Sequence, residues 1–101
     1  MDLQQQQWID QQADFNDFEI LDVRTPDEYE EGHIPQATLL DINDAPAFVA
    51  GLNARNQDKA YFVYCRSGAR SARACQVMAQ YGFKNTFNLL GGIMNWQGPI
   101  E

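Results

Sequence analysis

The sequence predicts an α/β protein: a parallel sheet with helices on both faces. Two observations carry that prediction. The run "AYFVYC", residues 60 to 65, is apolar on both of its alternating faces, as a strand buried between two helical layers must be. Around it, short runs rich in β-branched and aromatic residues alternate with helix-like stretches, the order that right-handed crossovers turn into a parallel sheet.

Taken in order, "LQQQQWIDQQ" (3 to 12) is biased toward good helix formers and predicts a short amphipathic helix anchored by Trp8 and Ile9. "FEILDV" (18 to 23) predicts a strand that stops at the Thr25-Pro26 turn. "PDEYEEG" has proline suited to the first helical position, acids in its first turn and Gly32 beyond its end, so one or two helical turns are expected. "ATLLDI" (37 to 42) predicts a second strand, and "NDAPAFVAGLN" (43 to 53) a helix capped near Asn43 or Asp44. A polar loop runs through Lys59 to the "AYFVYC" strand. Ala69 to Tyr81 has helical spacing, with Ala72, Cys75 and Met78 or Ala79 on one stripe and Gly82 at its end. "NTFNLL" then predicts a strand and "GGIMNWQ" a final short helix. There is no internal repeat.

With 101 residues, 45% of them hydrophobic, the chain is expected to form one compact domain over residues 1 to 101. No apolar stretch nears the roughly 18 residues of a membrane-spanning helix, and the amino terminus lacks the charged-then-apolar pattern of a secretory signal. A cytoplasmic address follows as the expectation. Two cysteines do not make a disulfide framework, which points to a reducing compartment. The net charge of −7 argues against nucleic acid or an anionic membrane as partner. Residues 1 to 31 carry ten acidic side chains against Arg24 alone, an ordinary solvated acidic face in the main. Yet residues 60 to 101 carry Arg66, Arg70, Arg73 and Lys84 against only Glu101.

That excess surrounds Cys65. In open parallel sheets ligands bind beyond the carboxyl ends of strands, and Cys65 sits at such an end. Arg66, Ser67, Gly68 and Ala69 form a tight loop there, and a helix begins at about Arg70. Backbone N–H groups of such a loop, backed by a helix N-terminus, converge on an anion. Arg70 and Arg73 stand in a first turn that ordinarily favours acids, and a local rule broken without structural gain marks a functional place. The same field lowers the pKa of a thiol and holds it as the nucleophilic thiolate. The bland reading, a small buried hydrophobe, fits Cys75 on its apolar stripe better than it fits Cys65.

Here the chain resembles the rhodanese family, the sulfurtransferases with a cysteine loop. "LDVRTPDEYEEGHIPQA" is similar to the family's Asp-Val-Arg segment and its Glu-Tyr followed by Gly-His-Ile-Pro-Gly-Ala. "YCRSGARSARA" resembles its active-site loop and "NLLGGIMNW" its Gly-Gly segment ending in tryptophan. The likeness runs from Phe18 to Trp96. It departs at Gln36, where the family has glycine, and in a short carboxyl end after Trp96. The resemblance implies a three-layer fold with about five parallel strands. It also implies a persulfide mechanism: the Cys65 thiolate takes the sulfane sulfur of thiosulfate, or of a protein persulfide donor, and yields it to cyanide or a thiol acceptor. The amides of residues 66 to 70 would then suit the anionic terminal sulfur, with Arg66 and Arg70 meeting the donor's oxygens. No metal or organic cofactor is required.

Asp22 and Arg24, at a strand end, are read as a structural polar pair beside the loop, with Arg24 also within reach of Glu28. His33 is the only histidine, too few for a zinc site, and is read as structural. Gly91 and Gly92 are expected to allow close backbone packing, Trp96 to lie in the core, and Tyr64 either to line the pocket or to be buried. Three other functions compete. A cysteine-loop phosphatase uses the same cradle but needs a longer loop than the four residues between Cys65 and Arg70, and an acid for its leaving group. A persulfide carrier needs the same Cys65. A catalytically dead binding domain would not keep the nucleophile and both loop arginines.

Overall fold

The structure is a computed structural model that describes residues 1–101. Five parallel strands form its sheet: β1 (Asp2–Leu3), β2 (Phe18–Asp22), β3 (Thr38–Leu39), β4 (Ala60–Tyr64) and β5 (Asn85–Leu89), in the spatial order β1-β5-β4-β2-β3. Between them run helices α1 (Gln5–Gln12), α2 (Pro26–Glu31), α3 (Ala45–Asn53) and α4 (Ala69–Gln80), and a 3₁₀ turn over Ile93–Asn95 follows β5. No helix is long and apolar enough to cross a membrane.

The alternation in β4 builds both layers. Tyr61, Val63 and Cys65 face a cluster with Leu21, Phe48, Leu52, Ala74 and Met78, beneath α3 and α4. Ala60, Phe62 and Tyr64 face the opposite cluster with Trp8, Ile34, Phe87 and Leu89. Every residue of β4 is buried, which is why its sequence shows no polar face. The chain moves outward from β2 to β3 with α2 on one face, then back past β2 to β4 and on to β5 with α3 and α4 on the other. The direction reverses between β2 and β4, so the loops leaving these two strands diverge at their carboxyl ends, the place where open α/β sheets bind ligands.

Several expectations are corrected. Leu3 and Gln4 are not helical: Asp2 and Leu3 pair with Asn88 and Leu89 as an edge strand, and α1 begins only at Gln5. Within α1 only Trp8 is an anchor; its indole N–H donates to the Phe87 carbonyl, while Ile9 faces solvent. The strand expected over 37 to 42 is two residues long, and beyond it Leu40 and Ile42 still donate to the Asp22 and Val23 carbonyls at the end of β2. The last helix is a single 3₁₀ turn, and Trp96 is half-buried against Trp8 rather than enclosed. Gln36, standing where the family has glycine, adopts φ of 71°. It takes the left-handed turn with a side chain attached.

Candidate active site

Beyond β2, Asp22 and Arg24 form a fork-to-carboxylate pair: Arg24 Nε donates to Asp22 Oδ1 at 2.9 Å and Nη2 to Oδ2 at 2.7 Å. Both side chains are buried, and two more donors complete the network. Tyr64 Oη donates to Asp22 Oδ2 at 2.8 Å and accepts from the Ile34 amide, while Arg24 Nη2 reaches the Gly32 carbonyl. Burial first, then the Asp22 charge, raises the Tyr64 pKa, so the phenol stays a donor. The expected polar pair is therefore present as a wall. Tyr64 belongs to that wall and not to an open pocket.

The expected contact of Glu28 with Arg24 is replaced by another. Glu28 accepts both arms of Arg70, at 2.8 and 3.0 Å, while closing a capping box with Thr25 at the start of α2. The hydrogen bond from Arg70 holds the Glu28 carboxyl at about 2, against its usual 4.5. Of seven cationic side chains, Arg24, Arg55, Lys59, Arg70 and Lys84 have carboxylate partners. Arg66 and Arg73, the two that lack one, are exposed, the first in the loop and the second on α4.

Cys65 is 1% exposed. Its carbonyl and that of Arg66 turn away to accept the Ile93 and Met94 amides, at 2.9 and 3.0 Å. With those carbonyls held outside, the next amides are free to face inward. The Gly68 N–H donates to Cys65 Sγ at 3.1 Å, and the Ser71 hydroxyl lies 3.3 Å from it. Burial pushes the thiol up, but the Ser71 hydroxyl and the amides of Ser71, Gly68 and Ser67 together outweigh it, and the net shift is downward. Two glycines make the turn possible. Gly68, φ 105°, heads α4 with no side chain between it and Gly91, and Gly92 packs so closely that a Cβ would stand 2.6 Å from the Cys65 carbonyl oxygen.

Ser67 and Ala69 are exposed parts of the loop. His33 is elsewhere occupied: its ring stacks on Tyr29 at 3.9 Å and its contacts are the Tyr29 carbonyl and Glu101, none to the loop. Two members of the site went unread in the sequence. Ser71 falls on the buried stripe of α4 with Ala74, Cys75 and Met78, and Asn88 is a polar residue between Phe87 and Leu89; a polar side chain in an apolar pattern was the available signal.

The Cys65 thiol stands in a short turn after the central strand of a parallel sheet, at its switch point, with the Gly68 amide and the Ser71 hydroxyl directed at its sulfur. The chain belongs to the rhodanese-like family: residues 5–99 match the family described as "Rhodanese-like domain". A protein of Allochromatium vinosum named "Sulfurtransferase" is 39% identical over 84 residues, covering 83% of this chain and 76% of that one. A "Putative sulfur carrier protein" of Bacillus subtilis is 34% identical over 82 residues, covering 81% of this chain and 43% of its own length. Among solved structures, a rhodanese-like domain protein from Staphylococcus aureus superposes with a TM-score of 0.82 at 27% identity, covering 99% of this chain and 95% of that one.

Proposed function

We propose that this chain is a sulfurtransferase that carries sulfane sulfur as a persulfide on Cys65. The observation that carries the reading is the amide and hydroxyl donors converging on Cys65 Sγ, which favour a negative sulfur where burial alone would forbid one. The names of its relatives support sulfur transfer in general; thiosulfate as donor and cyanide or a thiol as acceptor are the finer proposal.

In the first half-reaction the Cys65 thiolate attacks the outer sulfur of thiosulfate. The new S–S bond forms as the old one breaks, and sulfite leaves with the electron pair. The product, Cys65–S–S⁻, keeps one negative charge, now on the terminal sulfur, for which the amides of residues 66 to 70 are the donors. No proton moves, so no general acid is needed beside the loop. In the second half a thiolate or cyanide attacks the terminal sulfur and Cys65 leaves as the thiolate. Arg66, without a partner, is the cation open to a donor's oxygens, whereas Arg70 shares its charge with Glu28. Cys65 must stay reduced between turnovers, which suits a reducing compartment such as the cytoplasm.

A second reading, a persulfide carrier served by a protein donor, is favoured by two features: Cys65 is nearly enclosed, and Arg70 is already engaged by Glu28. Intact mass after thiosulfate treatment tests the shared step. One added sulfur is expected in wild type and in Cys75→Ser and none in Cys65→Ser; sulfur retained by Cys65→Ser would end both readings. Steady-state turnover then separates them, since a carrier loads without turning over thiosulfate.

A further inference from the structure

Behind the cradle a line of hydrogen bonds leads from Cys65 to the edge of the sheet. Ser71 Oγ lies 3.3 Å from Cys65 Sγ and 2.5 Å from Asn88 Oδ1. A hydroxyl has one proton, so it serves only one of these acceptors at a time. The orientation of the Asn88 amide is fixed independently. Its Nδ2 donates to Asp2 Oδ1 at 3.1 Å and to the Gly68 carbonyl at 3.3 Å, which leaves Oδ1 pointing at Ser71. Both Ser71 and Asn88 are shut off from solvent, at 0% and 1% exposure.

The two ionisation states of Cys65 therefore use that proton differently. With Cys65 a thiol, S–H donates to Ser71 Oγ and Ser71 O–H donates to Asn88 Oδ1; every group is satisfied. With Cys65 a thiolate, the charged sulfur is the stronger acceptor, and turning the hydroxyl toward it strands a buried amide oxygen. In a persulfide the charge moves to the terminal sulfur, and Ser71 is free to return to Asn88. We propose that Asn88 is a positioning residue that competes with Cys65 for the Ser71 proton, holding back the bare thiolate and favouring the resting thiol and the loaded persulfide over it.

The inference takes Cys65 as the sulfur carrier proposed above, but its test reads ionisation and not transfer. A protein that accepts no sulfur from thiosulfate yet shows the shifts below would end thiosulfate as the donor and keep this inference. The charged groups around Cys65 are Arg70 with Glu28 of α2, Asp22 with Arg24 beyond β2, Arg66 in the loop and Asp2 behind Asn88. All remain in every variant.

In a Cys75→Ser background, the pH profile of Cys65 alkylation by iodoacetamide gives the thiol midpoint. Asn88→Leu, close in shape but without an acceptor, is expected to lower that midpoint by about one unit, equivalent to tenfold more thiolate at any pH well below it. The midpoint is the readout because a less basic thiolate is also less reactive, which hides part of the gain in a single rate. Ser71→Ala is expected to raise it, and adding Asn88→Leu to Ser71→Ala to change nothing further. A midpoint that rises in Asn88→Leu, stays put, or falls equally without Ser71 overturns the proposal. Asn88→Ala is a second variant with the same expectation. Wild type answers even if both misfold: the side-chain carbonyl ¹³C resonance of Asn88 must titrate with the Cys65 midpoint, and one that ignores it overturns the proposal.

Discussion

Cys65 and Cys75 are both nearly enclosed, at 1% and 8% exposure, and they are pushed in opposite directions. Burial lifts the Cys75 thiol to about 11, whereas the Cys65 thiol falls below its usual 9.0 in spite of its own burial penalty. The difference lies in where each sits on the chain. Cys75 is inside α4, where the amides around it are already spent on carbonyls one turn back. Cys65 stands where a strand has ended and a helix has not begun, and there the backbone has unspent N–H groups to aim. Enclosure alone makes a thiol inert, and enclosure with uncommitted donors makes it acidic.

The most damaging way to break the contrast is Gly92→Ala. Gly92 has φ 61° and ψ −164°, a region that only glycine adopts without strain, and a Cβ would press on the Arg66 and Cys65 carbonyls. The loop would have to release the Ile93 and Met94 amides that hold those carbonyls outward. Strain and crowding together are expected to cost about 3 kcal/mol, a fall of roughly 10 °C or more in Tm. The Cys65 midpoint should climb toward 9.0, the ordinary value it starts from. A variant with unaltered Tm and midpoint would show that close packing under the loop is not what aims the amides.

A direct comparison of the two thiols comes next in size. At pH 7 a thiol titrating at about 11 is ionised to about one part in ten thousand, and one below 9.0 to more than one part in a hundred. The lower intrinsic reactivity of the more acidic thiolate offsets about tenfold of this. Iodoacetamide is therefore expected to label Cys65 at least about tenfold faster than Cys75, read by peptide mapping, with the preference vanishing in denaturant. Equal labelling of the folded protein would sink the contrast.

How much of this was legible depended on whether the partners were near in sequence. β4 and α4 declare themselves through local pattern, and Cys65 with its loop through a strand end followed by glycine and arginines where acids are favoured. β1 could not be read, because two residues show no alternation and their pairing with β5 is made across the whole chain. Ser71 and Asn88 looked like isolated polar residues, since what joins them is the packing of α4 on β5. Sequence spacing puts Glu28 within reach of Arg24, four residues away, whereas the fold pairs it with Arg70, 42 residues away, a contact no local pattern shows.

Glu28→Gln makes the finest cut, because it asks whether amides or arginines hold the charge on Cys65. A carboxyl depressed to about 2 contributes stability that is complete above its usual 4.5 and is lost as the pH falls through about 2. Glu28 and Arg70 keep 26% and 28% side-chain exposure, so solvent screening limits the contribution to on the order of 1 kcal/mol. Wild type should lose that increment between about pH 4.5 and 2 in urea titrations, while Glu28→Gln should lack it throughout and show a flatter acid limb. The same variant uncovers the positive charge of Arg70 beside Cys65. If the donors of the turn dominate, the thiol midpoint should fall by less than about half a unit, since the amides of Ser67, Gly68 and Ser71 and the Ser71 hydroxyl are unchanged. A fall of more than a unit would transfer the credit from the backbone to the guanidinium. The contrast between Cys65 and Cys75 would then be a matter of neighbouring charge, with the place of each thiol on the chain secondary.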